Sequence, residues 1–538
     1  MKRRDFLKNG LKIGVAANAL PVMLGGMPVR ALGRSPLRSA LESSLSSNNN
    51  ALVIIQLQGG NDGLNCLVPF GDPNYAALRP TLGLSSSSLT APLPDHNTLA
   101  FHSGMDGFLQ LYSAGKMAIL QNVGYSNPSL SHFRGTDIWN TATDSNVFAS
   151  TGWIGRLLLE QNPGFPQTLP PQPLALQFGS GLSNLFLSKN GGMGIAISRV
   201  PSPGDLRTSL HNYDAIPQNP TTQYNELAYV RIIQEETEVY TKNIIQRNVT
   251  TNKVTYPTSN LATQLASIAQ LIASGFQTKI YLVTQGSYDT HSNELNAQGQ
   301  LLTDLSAAVA AFQQDIEAFG VADQVAIMTY SEFGRRPKEN GSGTDHGTAA
   351  PHFVIGTQVK GMVYGNDPKL DAATLTAGGG NLIFDPQHDF RNVYATVMNE
   401  WLLAGGSQNT ADIHSVLTSD PNGTYSANST WQSLGIFKSS SQQYVGSDPE
   451  AMGLMLLQNY PNPASSQTQI QYTLDQPGTV ELGIYTTSGA ELMRVVDGRQ
   501  SAGPHTVSFN VNSLPSGSYI YRLKTISQTV ARQMIVER

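Results

Sequence analysis

Residues Lys279–Tyr330 read KIYLVTQGSYDTHSNELNAQGQLLTDLSAAVAAFQQDIEAFGVADQVAIMTY, two short apolar runs on either side of a long helical pattern. The runs KIYLVTQ and QVAIMTY are apolar on consecutive positions, as strands buried on both faces of a parallel sheet are. Between them, Leu301, Leu305, Ala308, Val309, Phe312, Ile316 and Phe319 recur at helical spacing and predict one apolar helix face. Strand, helix and strand in that order make a right-handed crossover. Working outward, ALVIIQL (Ala51–Leu57) predicts a third buried strand, and the segment Leu261–Phe276 a second helix. The expectation for residues 51–435 is an α/β domain, a mainly parallel sheet sandwiched by helices.

In open parallel sheets, ligands bind beyond the carboxyl ends of the strands. After ALVIIQL comes QGGNDGLN, with Asp62; after KIYLVTQ comes GSYDTHSNE, with Asp289 and His291. After QVAIMTY come Ser331 and Glu332, then the loop GTDHG with Asp345 and His346. Any one of these alone reads as a polar cap or turn, but three strands delivering acids and imidazoles to one edge point to a metal centre. His352, opening the run HFVIG, is weighed evenly as a further ligand or a half-buried strand histidine. Oxygen and imidazole donors without thiolate suit one or two divalent ions: zinc, manganese, magnesium or calcium. Arg335 and Arg336 are the groups to bind a tetrahedral oxyanion, their bland reading being a surface pair.

The remaining composition narrows the class. Charged residues make up 13% of the 538 and the net charge is −5, so nothing favours nucleic acid or an anionic membrane surface. The one cysteine, Cys66, allows no intrachain disulfide and reads as a small core residue. There is no GxSxG, HExxH, GxxxxGK[ST] or CxxC. The chain opens MKRRDFLKNGLKIG, and residues 1–34 order a basic region, an apolar stretch too short for a membrane span, and small residues, as an export signal does. Polar, Ser-rich linkers are expected at 35–50 and 436–455. Residues 204–256 hold a polar helical insert suited to a lid. In the last segment, 456–538, Ile470, Tyr472 and Leu474 alternate with polar residues, as do Val480, Leu482 and Ile484, and Val507, Phe509 and Val511. Period two between Gly, Pro and Asn turns predicts a small antiparallel β-sandwich.

Three resemblances follow from these residues. Arg3-Arg4 with Asp5-Phe6-Leu7-Lys8 resembles the twin-arginine export signal. NYPNP, SAGPH, LPSGSYIYRL and the terminal QMIVER resemble the sorting domain of type IX secretion. Together they imply the twin-arginine translocase and the type IX machinery as partners, passage through the periplasm, and a secreted or outer-membrane surface protein. The stretches LATQLASIAQLIASGFQTKIYLVTQGSYDTHSNE, MTYSEFGRRPKENGSGTDHGTAAPHFVIG and DFRNVYATVMNEWL resemble an uncharacterised bacterial family of unknown function, distantly similar to the alkaline phosphatase and sulfatase superfamily. That likeness implies an alkaline phosphatase-like fold and hydrolysis of a phosphate or sulfate ester, of a small molecule or a polysaccharide. It places the first-strand aspartate at Asp62 and the metal residues at Asp289, His291, Asp345 and His346, with Glu332 ending the late strand. The nucleophile falls on Ser131 in NPSLSHFRGTDIW, with Ser129 second and a plain helix N-cap as the competing role for Ser131. Cys66 lacks the Cys-x-Pro-Ser-Arg setting of formylglycine sulfatases. Asp345-His346 lies thirteen residues beyond Glu332 rather than at the strand end, which leaves a single-metal site open. A non-catalytic surface binding or structural protein on the same scaffold is the alternative.

Overall fold

The computed structural model describes residues 23–24, 27–28, 49–200 without 167–169 and 171, residue 240, 250–403 without 386 and 387, 413, 416–417, 433–438, and most of 455–537. The twin-arginine stretch and most of the 204–256 insert lie outside the described residues. Two compact units are present, the first ending at Ser439 and the second running from Ser440 apart from a four-residue exchange at 406–409.

The first unit is built on an eight-stranded sheet. Its strands are β1 (Ala51–Leu57), β2 (Met117–Val123), β3 (Ala175–Phe178), β4 (Ile195–Ile197), β5 (Ile280–Gln285), β6 (Val325–Tyr330), β9 (Ala350–Ile355) and β10 (Met362–Tyr364). The intervening β7 (Arg335–Glu339) and β8 (Thr344–His346) form a separate hairpin. The order across the sheet is β4-β3-β5-β1-β6-β9-β2-β10. Every pairing is parallel except those of β9, which runs antiparallel to both β6 and β2.

The apolar runs form central strands because both their faces meet helices. All seven residues of β1 are buried, and they alternate between two cores. Ala51, Val53, Ile55 and Leu57 join one with helices α2 (Asp106–Ser113), α5 (Asn260–Ala273) and α6 (Glu294–Phe319). Leu52 and Ile54 join the other with α3 (His132–Thr141), α4 (Trp153–Gln161) and α7 (Phe390–Val397). Both parities therefore face apolar layers, and the strand's one polar residue, Gln56, comes near its carboxyl end. A Leu→Ala change in such a layer costs about 2–5 kcal/mol.

Helix α6 follows the expected stripe through Leu305, Ala308, Val309, Phe312 and Ile316, all buried. The stripe ends there: Phe319 is half-buried and lies under the Lys253 ammonium, 5.0 Å from its ring centre. Gly320 closes the helix at φ +77° and returns its N–H to Ile316 and Glu317. Helix α5 is started by the Ser259 hydroxyl, which accepts from the Ala262 N–H.

The second unit holds β11 (Met455–Leu456), β12 (Gln467–Leu474), β13 (Gly478–Thr486), β14 (Glu491–Gln500), β15 (Gly503–Asn510), β16 (Gly517–Lys524) and β17 (Thr529–Val536). They form two antiparallel sheets, β11-β12-β15 and β14-β13-β16-β17. Ile470, Tyr472, Leu474, Val480, Leu482, Ile484, Phe509 and Val511 share one core, with Val507 packed on its edge. The period-two pattern thus marks the inward faces of both sheets.

Candidate metal centre

Strands β5, β1 and β6 are neighbours, so their carboxyl ends open onto one place. The turn after β5 carries Asp289 and His291. The hairpin β7–β8 folds back over it, pairing Arg335 with His346. This return brings His346 home despite its distance in sequence from Glu332. It needs Gly343, whose missing Cβ would sit 2.2 Å from the His291 carbonyl carbon. From the other side, α3 contributes His132, packed over Glu332 at Gly135, where an added Cβ would sit 3.1 Å from the Glu332 carbonyl oxygen.

The result is a ring of imidazoles around one carboxylate. Asp289 Oδ1 lies 3.2 Å from His346 Nε2 and 3.1 Å from His291 Nε2, and Asp289 Oδ2 lies 3.4 Å from His132 Nε2. The two rings of His291 and His346 approach to 3.0 Å at their Nε2 atoms. One donor atom each from His132, Asp289 and His346 falls within 4.8 Å of the other two. Phe333, buried, supports the rings, its centre 4.9 Å from His132 and 4.5 Å from His346.

Two of the histidines have the other nitrogen hydrogen-bonded from behind. His346 Nδ1 donates to the Leu130 carbonyl at 2.8 Å, and His132 Nδ1 donates to the buried Glu332 carboxylate at 2.8 Å. His291 Nδ1 lies 3.6 Å from Asp345 Oδ1. Protons held on Nδ1 leave the Nε2 lone pairs aimed inward, the arrangement that ligating histidines show. His132 Nε2 is buried and has no hydrogen-bond partner among the described residues. These residues fit a cation: an orphaned imidazole lone pair, and donor separations close to those set by ligands about 2 Å from a common ion. Imidazole-rich donors favour zinc, or another nitrogen-seeking metal, over magnesium and calcium.

Asp289 is strongly acidic. Partial burial works to raise its pKa, but the Arg335 hydrogen bond and charge, with His346 close by, outweigh this and hold it at about 2. It is therefore an anion at neutral pH.

The other expected site residues divide by position. Asp62 is not in the ring. Its side chain is fully buried and both oxygens are taken by Arg79, one of them at 2.8 Å. Arg79 also reaches Asn65 Oδ1 and the carbonyls of Pro337 and Arg336. Fully buried, paired with Arg79 through both oxygens and outside the ring, it is not placed to ligate a metal there, which corrects its expected role. Nearby Glu294 is pushed up to about 8 by burial and by the Asp62 charge, and it accepts from Thr344 and Thr290. Glu332 stands behind His132 rather than in the inner ring, accepting also from the Gly59 N–H at 2.9 Å. Asp345 is half-exposed, 3.6 Å from His291 Nδ1 and hydrogen-bonded instead by Asn340. His352 takes the strand role: buried in β9, it stacks on Trp139 at 7° and hydrogen-bonds the Thr329 carbonyl. Burial drops its pKa to about 4, so it is a neutral core group.

Arg335 is also corrected. Its side chain is fully buried, and it donates to the carbonyls of Gly60, Thr344, Gly59 and Tyr288 and to Asp289 Oδ1. All three nitrogens are engaged and the side chain is sealed from solvent, so it clamps three segments of the site and does not line the cleft where an oxyanion would sit. Arg336 keeps one buried nitrogen, Nε, without a partner, but its side chain does not line the cleft. Ser131 occupies the cap position of α3, exposed, and its hydroxyl makes no capping bond. The residue that sequence reasoning passed over is His132. It was visible only as the neighbour of Ser131, and nothing in its spacing ties it to Asp289.

The ring forms one wall of an open cleft of about 460 Å³, lined among others by His132, Phe133, Asp289, Glu332, Gln58 and Ser287. Phe133 is 92% exposed. Ser287 is held at φ +79°, a left-handed conformation that costs a non-glycine residue roughly 1–2 kcal/mol.

Residues 221–378 match a family described as a protein of unknown function, DUF1501. Residues 458–537 are a secretion system C-terminal sorting domain. The sorting domain marks the chain for export, as a secreted or cell-surface protein. Curated proteins return no match. Among solved structures, a protein of the alkaline phosphatase superfamily from Vibrio parahaemolyticus is 10% identical over 72% of this chain and 78% of its own, with a TM-score of 0.29. A putative sulfatase from Bacteroides fragilis is 9% identical over 90% and 92%, with a TM-score of 0.30. PorZ, a surface component of the type IX secretion system of Porphyromonas gingivalis, is 18% identical over 19% of this chain, with a TM-score of 0.13; the chain spans 14% of PorZ. At these TM-scores the description of the fold stays with the chain's own sheet and helices. No helix among the described residues is long and apolar enough to cross a membrane.

Proposed function

We propose that the exported protein is a metal-dependent hydrolase of phosphate or sulfate esters. The observation that carries the reading is the orphaned, inward-facing Nε2 of His132, set beside Asp289 and His346 with the Nδ1 of both histidines tied back. His132, His346 and Asp289 would hold the cation, with His291 as a fourth donor, and a bound cation would act as a Lewis acid on an ester oxygen.

The chain's own residues supply the rest. Ser131 presents a free hydroxyl one residue before His132, at the positive end of α3, where developing negative charge is favoured. Glu332 keeps the His132 ring in one orientation. Arg335 fixes Asp289 and the hairpin carrying His346. With Asp62 and Arg335 both committed elsewhere, the set supports one metal rather than two.

The spent Asp62 and Arg335 also favour the alternative, a surface protein that keeps a metal and lacks turnover. Metal analysis with a screen of aryl phosphates and sulfates separates the two. The hydrolase reading expects one equivalent of metal and turnover that falls at least about 100-fold in Ser131→Ala while metal is retained. Metal without turnover, equal in wild type and Ser131→Ala, favours the alternative. Neither metal nor turnover removes both.

A further inference from the structure

We infer that the alcohol part of the ester is a polyhydroxylated ring, a sugar, held against Phe133 and Ser287. This deepens the hydrolase reading and rests on it.

Three observations converge on the cleft that Asp289 lines. Phe133 follows His132 in the first turn of α3, lines the cleft and leaves 92% of its surface to solvent. An aromatic face that exposed, beside a candidate reaction centre, suits the apolar C–H face of a pyranose, which stacks on it without needing a charged partner. Ser287 also lines the cleft and carries a left-handed backbone at φ +79°. Glycine would take that conformation without steric cost, so this chain carries a hydroxyl at a position whose backbone favours glycine. Its hydroxyl makes no hydrogen bond within the described residues, nor does the Gln58 side-chain amide that lies over Gly286, 3.7 Å from where a Cβ there would be. A hydroxyl and an amide with unused donors and acceptors match a ligand rich in vicinal hydroxyls.

The cleft wall does not suit a bare small anion. Of the residues lining it, Asp137, Asp289 and Glu332 are acids, and no lysine or arginine lines it among the described residues. Affinity there must come from the ring and its hydroxyls more than from the acid group.

The test uses the full chain loaded with zinc and calorimetric titration of four ligands: glucose 6-phosphate, glucose 6-sulfate, ethyl phosphate and ethyl sulfate. Zinc content is measured on the same samples. The expected result is that the glucose esters bind about tenfold tighter than the ethyl esters. Phe133→Ala removes most of that advantage and Ser287→Gly lowers it severalfold, while neither changes ethyl-ester affinity, zinc content or melting temperature. Equal affinity for the sugar and ethyl esters overturns the inference, as does a sugar preference untouched by both variants. A sugar preference that persists in protein without bound zinc supports this inference and contradicts the metal reading alone.

Discussion

Asp62 and Asp289 both follow a central strand of the same sheet, and the fold uses them in opposite ways. Asp62 is sealed behind Arg79, with each oxygen spent on a guanidinium and no surface left. Asp289 is half-exposed: its Oδ1 faces Arg335, His291 and His346 together, and its Oδ2 is left to His132. The difference is not charge, since both carboxyls are held below their ordinary range by a nearby arginine. It is coordination: a strand-end acid becomes available for chemistry only when its cationic partner leaves lone pairs free.

Removing Asp62 is expected to give the largest effect. Asp62→Ala leaves the Arg79 charge buried without its partner, at a cost of about 3–5 kcal/mol, read as a lower midpoint in urea unfolding. Metal stoichiometry per folded molecule should be unchanged. Loss of metal with stability intact would reverse the assignment of the two acids. Asp289→Ala is the mirror case. It should cost at least about 100-fold in zinc affinity, while in the absence of metal it costs less stability than Asp62→Ala, because Asp289 is half-exposed and Arg335 keeps its four carbonyl partners. Next in size is Glu332→Gln, where the amide oxygen of glutamine accepts less strongly from His132; zinc affinity should fall about 10-fold or more without loss of the metal.

The same comparison has a pH signature in chelator-treated protein. Glu294, beside Asp62, has a folded pKa raised from 4.5 to about 8. Its stabilising contribution is complete below about pH 4.5 and is lost as pH rises through about 8. Asp289, lowered from 3.8 to about 2, contributes above about pH 3.8 and loses that contribution as pH falls through about 2. Melting temperatures should therefore decline toward alkaline pH through the buried pair and toward strong acid through the open ring. Glu294→Gln should flatten the first limb and Asp289→Asn the second, the latter being the smaller effect because Asp289 is half-exposed.

What the sequence made legible follows from range. Apolar runs such as ALVIIQL and QVAIMTY report their burial locally, because both faces of each strand meet helices. The alternation in residues 467–511 likewise reports a two-sheet core. The arrival of Asp289, His291 and His346 at one edge was readable from strand-end placement, since that needs only the sheet's polarity. What was not readable is pairing between segments. That Arg79 closes on Asp62 depends on a turn seventeen residues later. Arg335 is drawn inward because four carbonyls and Asp289 converge on it, which no spacing announces. The gain of His132 depends on how closely α3 packs over Glu332 at Gly135. His352 was undecided in the sequence because a buried strand histidine and a ligand look alike until Trp139 is seen stacked on it.

The central claim is that His132, Asp289 and His346 hold one cation. Zinc-edge anomalous scattering from crystals of the full chain tests it most directly. The expected map has one peak between His132 Nε2, His346 Nε2 and the Asp289 carboxylate, with none beside Asp62. Crystals grown in excess zinc that show no peak at the ring, or that place it at Asp62 and Glu294, would contradict it.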